Sequence, residues 1–169
     1  MTKTILHIAT SVDGFIADKN GSSDFAQAAQ KNDERFSDFY ASVGSVVMGR
    51  KTYDYLKDKV PNLFKDKQVY VITHYLRQKE DNITFIHEDI MGCVQNLKKT
   101  QDKNIWVLGG SEIVNILLKE KMIDEMILTT APLILGNGTR LFKDDNPQIQ
   151  MKLEETKVFD GFIQTRYTF

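Results

Sequence analysis

Only one cysteine, Cys93, occurs in 169 residues, so no disulfide can form within the chain. It falls in a helical pattern with Ile90, Val94 and Leu97, which assigns it to a buried structural thiol. No apolar run approaches the ~20 residues that a membrane helix needs. Met1-Thr2-Lys3-Thr4 enters a strand pattern directly, which predicts no leader segment and a cytoplasmic protein. Neither sign of charge dominates: 22 Lys and Arg against 23 Asp and Glu leave a net charge of −1. That balance argues against nucleic acid or another polyanion as a partner. His7, His74 and His87 stand apart, with no carboxylate at metal-ligand spacing, so no metal site is expected. A Gly-x-Ser-x-Gly elbow and a Cys/His pair are also missing, which leaves no candidate nucleophile. Repeats, low-complexity tracts and linkers are absent too. What remains is a single domain, 1–169, large enough to bury a core around a small-molecule site.

The stretch Asn104–Glu112 organises what is present. Ile105–Leu108 is a short apolar run suited to a strand buried on both faces. Gly109-Gly110 interrupts it, and Ile113, Val114, Leu117 and Leu118 then mark one side of a helix. Strand, glycine pair and helix bring free N–H groups and a positive dipole end close to an anion. Ser45–Met48 runs the same way into Gly49-Arg50-Lys51-Thr52 and a helix carrying Tyr53 and Leu56. That turn reads either as a phosphate cradle or as a solvated basic turn with Thr52 as helix cap. Val69–Thr73 is a further core strand with Thr73, His74 and Arg77 at its C-terminal edge. Ligands of α/β sheets lie beyond the carboxyl ends of strands. Three phosphate-seeking segments on one rim therefore predict a nucleotide with several phosphates.

The remaining elements are expected as follows. Thr4–Ala9 opens the chain as a strand, and Asp13-Gly14 turns it into Ile16-Ala17, a segment lying across the cleft. A polar stretch runs from Asn20 to Lys31, and a helix from about Asn32 to Val43 ends at Gly44. On that helix Asp33 falls at the edge of the Phe36, Phe39, Tyr40, Val43 stripe. It either complements the helix dipole or serves as a carboxylate whose burial raises its pKa for proton handling. Ile83–Ile86 and Asp124–Thr130 are strands, Asp89–Lys99 is a helix, and Asp160-Gly161 closes a hairpin of Met151–Val158 and Phe162–Thr168. The order predicts an α/β fold: a mostly parallel central sheet, helices on both faces and a C-terminal antiparallel hairpin. The apolar Pro132–Phe142 segment, with Leu133, Ile134, Leu135, Leu141 and Phe142, predicts a homodimer.

Four stretches together resemble the dihydrofolate reductase superfamily: Ser11–Ala17, Val46–Tyr53, Val107–Ser111 and Ala131–Gly136. Within it the chain looks most like bacterial dihydrofolate-reductase-like proteins related to the riboflavin-pathway reductase domain, the C-terminal domain of RibD. The resemblance implies a three-layer fold and an NADPH-dependent reductase acting on a pteridine-like or pyrimidine-like heterocycle. It places Gly49, Arg50, Lys51 and Thr52 against cofactor phosphates, and Gly109, Gly110, Ser111 and Glu112 at the pyrophosphate. Ala17 lies beside the nicotinamide, and Thr73, His74 and Arg77 surround the 2′-phosphate of NADP(H). Asp33 falls where dihydrofolate reductases keep their ring-binding acid, with Thr129 as its companion, Asp24 as a rival acid, and Phe36 and Tyr40 under the ring. Two departures stand out. The Trp and Pro that precede that acid are replaced by Gly21–Phe25, and Lys67 stands where folate enzymes carry a tail-binding arginine. The alternatives are a true dihydrofolate reductase and, from another class, a non-catalytic NADP(H)-binding protein.

Overall fold

The structure is a computed structural model; it describes residues 1–60, 62, 64–75, 77–87 and 89–169, with the backbone alone at position 32. Among these, eight strands form one sheet. In chain order they are β1 (Thr4–Thr10), β3 (Val43–Gly49), β4 (Gln68–Thr73), β5 (Ile83–His87), β6 (Asn104–Gly109), β7 (Glu125–Thr130), β9 (Lys152–Phe159) and β10 (Phe162–Thr168). A two-stranded ribbon, β2 (Phe15–Ala17) with β8 (Thr139–Arg140), lies apart from it.

The sheet order is β5-β4-β3-β6-β1-β7-β10-β9. Every pair from β5 to β7 is parallel, and β10 joins β7 and β9 antiparallel. The parallel strands read as unbroken apolar runs because both faces are covered. On one face lie α4 (Ile90–Thr100) and α5 (Ser111–Lys119), which pack Val94, Leu97, Val114 and Leu117 on Leu6, Val47 and Val107. On the other lie α1 (Asp24–Asn32), α2 (Phe36–Ser42) and α3 (Arg50–Lys59), with Trp106, Val46 and Met48 beneath α2 and α3 and Ala9 beneath α1. Asp160 and Gly161 both have positive φ, 46° and 84°, as the primed hairpin turn demands. Cys93 packs against the α4–α5 core, where burial pushes its thiol up to about 12.

Three expectations need correction. The polar stretch before Asn32, to which no element is assigned, carries a helix: Asp24–Asn32 is helical, and Phe25, Ala26 and Ala29 face Ala9, Ala131 and Phe162. The expected helix from Asn32 to Val43 is broken at Asp33, whose backbone is extended, φ −85° and ψ 103°. Its Oδ1 accepts from the Arg35 N–H at 3.1 Å, an Asx-type turn that competes with helix continuation. Val43 and Gly44 belong to β3 rather than to a helix end.

The ribbon ties a roof, residues 11–17, to a strap, residues 132–142. Phe15 pairs with Arg140 and Ala17 with Thr139, while the Asp13 carboxylate accepts from Ser11 Oγ and the N–H groups of Leu135 and Gly136. Those contacts, the Ser11 hydroxyl first, hold Asp13 down to about 2. At Gly138, φ +145°, a Cβ would come within 2.0 Å of the Ala17 carbonyl oxygen, so only glycine fits. In the strap, Leu141 is fully buried, whereas Ile134 and Phe142 are exposed.

Candidate functional site

The site has two parts, a rim and an acid pocket. Strands β3 and β6 are neighbours, so their C-terminal turns sit side by side. A Cβ at Gly49 would meet Gly110 N at 3.6 Å and Ile113 Cγ1 at 3.3 Å. At Gly110 it would meet Thr52 Oγ1 at 3.5 Å and, at 4.0 Å, the Cδ1 of Ile16 from the roof. The Gly109–Gly110 peptide is cis. Helices α3 and α5 start from Gly49 and Gly110, and neither has a side-chain cap. Thr52 is thus a first-turn residue rather than the cap expected under the alternative reading. The backbone crowding leaves two uncapped helix ends facing one space, a cradle that β-carbons would fill.

Arg50 links this cradle to the next strand. Its Nε donates to Asp54 at 3.2 Å, and its guanidinium lies 5.0 Å from the Tyr75 ring centroid. Tyr75 is a large exposed aromatic that the sequence reading passed over; its place two residues beyond Thr73 was the available signal. Thr73 is buried, and its Oγ1 accepts from Tyr75 N, so its hydroxyl shapes the turn. His74 and Arg77 are exposed on the same segment, and the Arg77 guanidinium sits 5.4 Å from the Phe85 ring. Lys51 is exposed in the first turn of α3. Ser111 and Glu112 open α5, and Glu112 reaches Lys143 at 3.8 Å. Ala17 lies in β2 over this end of the sheet.

The acid pocket is assembled from five separate elements. Asp33, 7% exposed, sits at the α1–α2 break. Gln164 of β10 donates through Nε2 to Asp33 Oδ2 at 2.8 Å and to Thr129 Oγ1 of β7 at 3.0 Å. The β7–β10 register sets Gln164 opposite Thr129, which fixes the geometry. Lys157 of β9 reaches Asp33 Oδ1 at 3.3 Å. Burial pushes the Asp33 carboxyl up, but hydrogen bonds from Gln164, the Arg35 N–H and Lys157 outweigh it, and the net direction is down. The expected upward shift is therefore reversed, and Asp33 is held as a carboxylate.

His7 of β1 completes the pocket. It is 5% exposed, and burial lowers its pKa to about 4 against the opposing pull of the Asp33 charge. Phe39 meets its ring edge-on at 4.4 Å, with Phe36 and Trp106 farther out. Its Nδ1 is buried without a hydrogen-bond partner among the described residues. The sequence reading weighed His7 only as a metal ligand.

The structure thus brings Asp33 and Thr129 together through Gln164, which the sequence reading missed together with Lys157. It does not bring Phe36 and Tyr40 to the pocket wall. Phe36 packs on Trp106, and Tyr40 donates to Asp66 at 2.6 Å. Asp24 stays outside at the exposed start of α1, bound by Tyr55 at 2.5 Å and Lys59 at 2.6 Å. Those contacts, Lys59 first, hold Asp24 down to about 2. Lys67 is buried, with Asp66 at 3.2 Å and its ammonium 4.2 Å from the Tyr40 ring centroid.

Sheet order, flanking helices and closing antiparallel strands define a dihydrofolate-reductase-like fold. The dihydrofolate reductase of Enterococcus faecalis, solved with NADP(H), superposes with a TM-score of 0.68 at 13% identity, over 98% of this chain and 95% of that one. More specifically, residues 2–165 match the RibD C-terminal domain, and the chain belongs to that family. The uncharacterized protein YwjB of Bacillus subtilis (strain 168) is 39% identical over 168 residues, 98% of this chain and 97% of the relative. A putative riboflavin biosynthesis protein from Shewanella sp. PV-4 superposes with a TM-score of 0.86 at 27% identity, over 99% of this chain and 98% of that one. The Thermotoga maritima diaminohydroxyphosphoribosylaminopyrimidine deaminase/5-amino-6-(5-phosphoribosylamino)uracil reductase shares the fold, with a TM-score of 0.71 at 16% identity. This chain is covered over 99% of its length there and spans 56% of that protein. Among the described residues, no helix is long and apolar enough to cross a membrane.

Proposed function

We propose that this protein is an NADPH-dependent reductase of a pteridine-like or pyrimidine-like heterocycle, related in activity to the riboflavin-pathway reductases. The observation that carries this reading is the contact between the Gly49 and Gly109-Gly110 turns. Two uncapped helix ends there offer N–H groups to one pyrophosphate. Arg50, Lys51 and Thr52 add charge and a hydroxyl, and Ser111 and Glu112 line the same end of α5. His74 and Arg77, both exposed, with Thr73 at the turn, supply the 2′-phosphate partners, which favours NADPH over NADH. The cofactor, when bound, supplies the hydride, and the residues around it do the positioning.

The roof strand brings Ile16 over the rim, its Cδ1 4.0 Å from where a Gly110 Cβ would stand. In β1, Ile8 packs its Cδ1 3.3 Å from where a Gly109 Cβ would stand, while its neighbours His7 and Ala9 line the acid pocket. Asp33, ionised and backed by Gln164, Lys157 and Thr129, holds the ring N–H of the substrate and orders the water that supplies its proton. Folate fits less well, because the Lys67 ammonium is committed to Asp66 and the Tyr40 ring.

A second reading is a protein that binds NADP(H) without turnover. It is favoured by one observation: Asp33 already accepts from three donors within the chain. The test is NADPH oxidation at 340 nm with a panel of pterins and aminopyrimidines, beside calorimetric titration with NADPH. Binding with oxidation of one heterocycle establishes the reductase; binding with none oxidised leaves the binding protein; no binding overturns both.

A further inference from the structure

Helix α5 keeps one amide on its buried face: Asn115, 3% exposed, stands among Ile113, Val114, Leu117 and Leu118. An apolar side chain would suit those neighbours better, and a buried amide is costly unless its donors and acceptors are answered. Here they are. Asn115 Nδ2 donates to the Ser111 carbonyl oxygen at 2.5 Å and to that of Leu141 at 2.8 Å. Its Oδ1 accepts from the Lys143 N–H at 3.0 Å and from the Asn146 side chain. One residue thus joins the first turn of α5 to the strap and to the segment that follows it. Leu141 is fully buried, and its N–H donates to the Gly14 carbonyl oxygen at 3.0 Å. That bond extends the relay from α5 through the strap to the roof.

The Ser111 carbonyl and the Glu112 N–H belong to one planar peptide, and in a trans peptide they point opposite ways. That N–H is among the first four of α5, which have no partner inside the helix and point out of its start. The start of α5 is where Gly110 meets the Gly49 turn. A hydrogen bond to the carbonyl fixes the peptide plane and polarises the N–H at its other end. Resting on the reductase reading, we propose that Asn115 is a positioning residue that aims the Glu112 N–H at the cofactor pyrophosphate and couples cofactor binding to closure of strap and roof. An anion on the Glu112 N–H strengthens the bond at the Ser111 carbonyl, which steadies Nδ2 and with it the Leu141 peptide. The coupling is reciprocal: a strap held by Asn115 favours cofactor, and bound cofactor makes the strap harder to open.

The test is limited trypsin digestion of the full chain with and without saturating NADPH, read by mass spectrometry, beside calorimetric titration with NADPH. Arg140 in the strap and Lys143 just after it are exposed cleavage sites, and Lys103, exposed ahead of β6, is the reference. Three proteins are compared: wild type, Asn115→Asp, which keeps the acceptor and loses the donor, and Asn115→Leu, which loses both. We expect NADPH to slow cleavage at Arg140 and Lys143 about fivefold or more in wild type and less than about twofold in the variants. Affinity should fall roughly tenfold in the variants, with Lys103 cleaved at one rate throughout. Where Asn115→Leu fails to fold, Asn115→Asp decides. Wild-type affinity or full strap protection in Asn115→Asp would overturn the proposal, since shielding by the cofactor itself survives the substitution. So would cleavage of Asn115→Asp that rises equally at Lys103 and in the strap, the mark of a purely structural residue. Wild type that binds NADPH without protecting the strap overturns the Asn115 assignment and leaves the reductase reading standing. Wild type that binds no NADPH overturns both.

Discussion

The rim and the acid pocket are built on opposite principles. Each rim segment is four or five consecutive residues, and what it offers is mostly backbone: Gly49 and Gly110 touch because their strands are neighbours. The pocket gathers His7, Asp33, Thr129, Lys157 and Gln164 from four strands and a helix break, and what it offers is side chains. The rim therefore depends on close backbone approach, and an added Cβ is tight at Gly49, 3.3 Å from Ile113 Cγ1. The pocket tolerates little exchange, since Asp33 accepts from three donors and Gln164 bridges it to Thr129.

Substitutions sharpen or break this contrast, and the largest effect is expected at Asp33. Asp33→Asn should lower turnover of the substrate ~10²-fold or more while NADPH affinity moves only a few-fold. An asparagine must also aim its NH₂ at one of the donors Gln164 or Lys157, so urea denaturation should show a loss of about 1–3 kcal/mol. A variant as stable as wild type would mean that the network is looser than its distances.

Acid should act through His7 next. Its folded pKa, about 4, lies below the ordinary 6.5, so the unfolded chain takes up the proton first. The stability this contributes is present above the ordinary value and is lost as pH falls through the folded one, about 3 kcal/mol in all. Denaturation at pH 4.5 and 7 should show it in wild type, and His7→Phe should remove it.

At the rim, NADPH should bind at least tenfold more tightly than NADH, ~1.4 kcal/mol of charge-assisted contact. Arg77→Ala should erode that preference and leave NADH binding nearly unchanged; equal calorimetric affinities in wild type would remove the 2′-phosphate assignment. The smallest effect is expected of Asp24→Asn, which should leave both cofactor affinity and turnover alone, because Asp24 faces Tyr55 and Lys59. A turnover loss there would move the acid out of the pocket.

The same contrast explains what was legible in the sequence. Glycine turns between apolar runs announce themselves locally, so the parallel sheet, the hairpin at Asp160-Gly161 and the meeting of the rim segments are legible in the sequence. Helix α1 was hidden by its small, weakly apolar face of Ala26 and Ala29, although a run of good helix formers from Ala26 to Lys31 was a usable sign. Asp33 was placed on a helix because its power to break one by an Asx turn depends on Arg35 N–H and on a buried side chain. Gln164 and Lys157 were invisible: they meet Asp33 only once β10 and β9 have added to β7 in one register, at separations beyond 120 residues.

The join between Phe15–Ala17 and Thr139–Arg140 has a consequence for descent with modification. Gly138 leaves no room for even a methyl group against Ala17, and Asp13 holds Leu135 and Gly136 from the other side. A lineage drifting toward a new substrate cannot remodel residues near 16 alone, because each change is felt 120 positions later. Roof and strap must be inherited and altered as a pair. Compensating double changes, rather than single ones, are how variety should enter here.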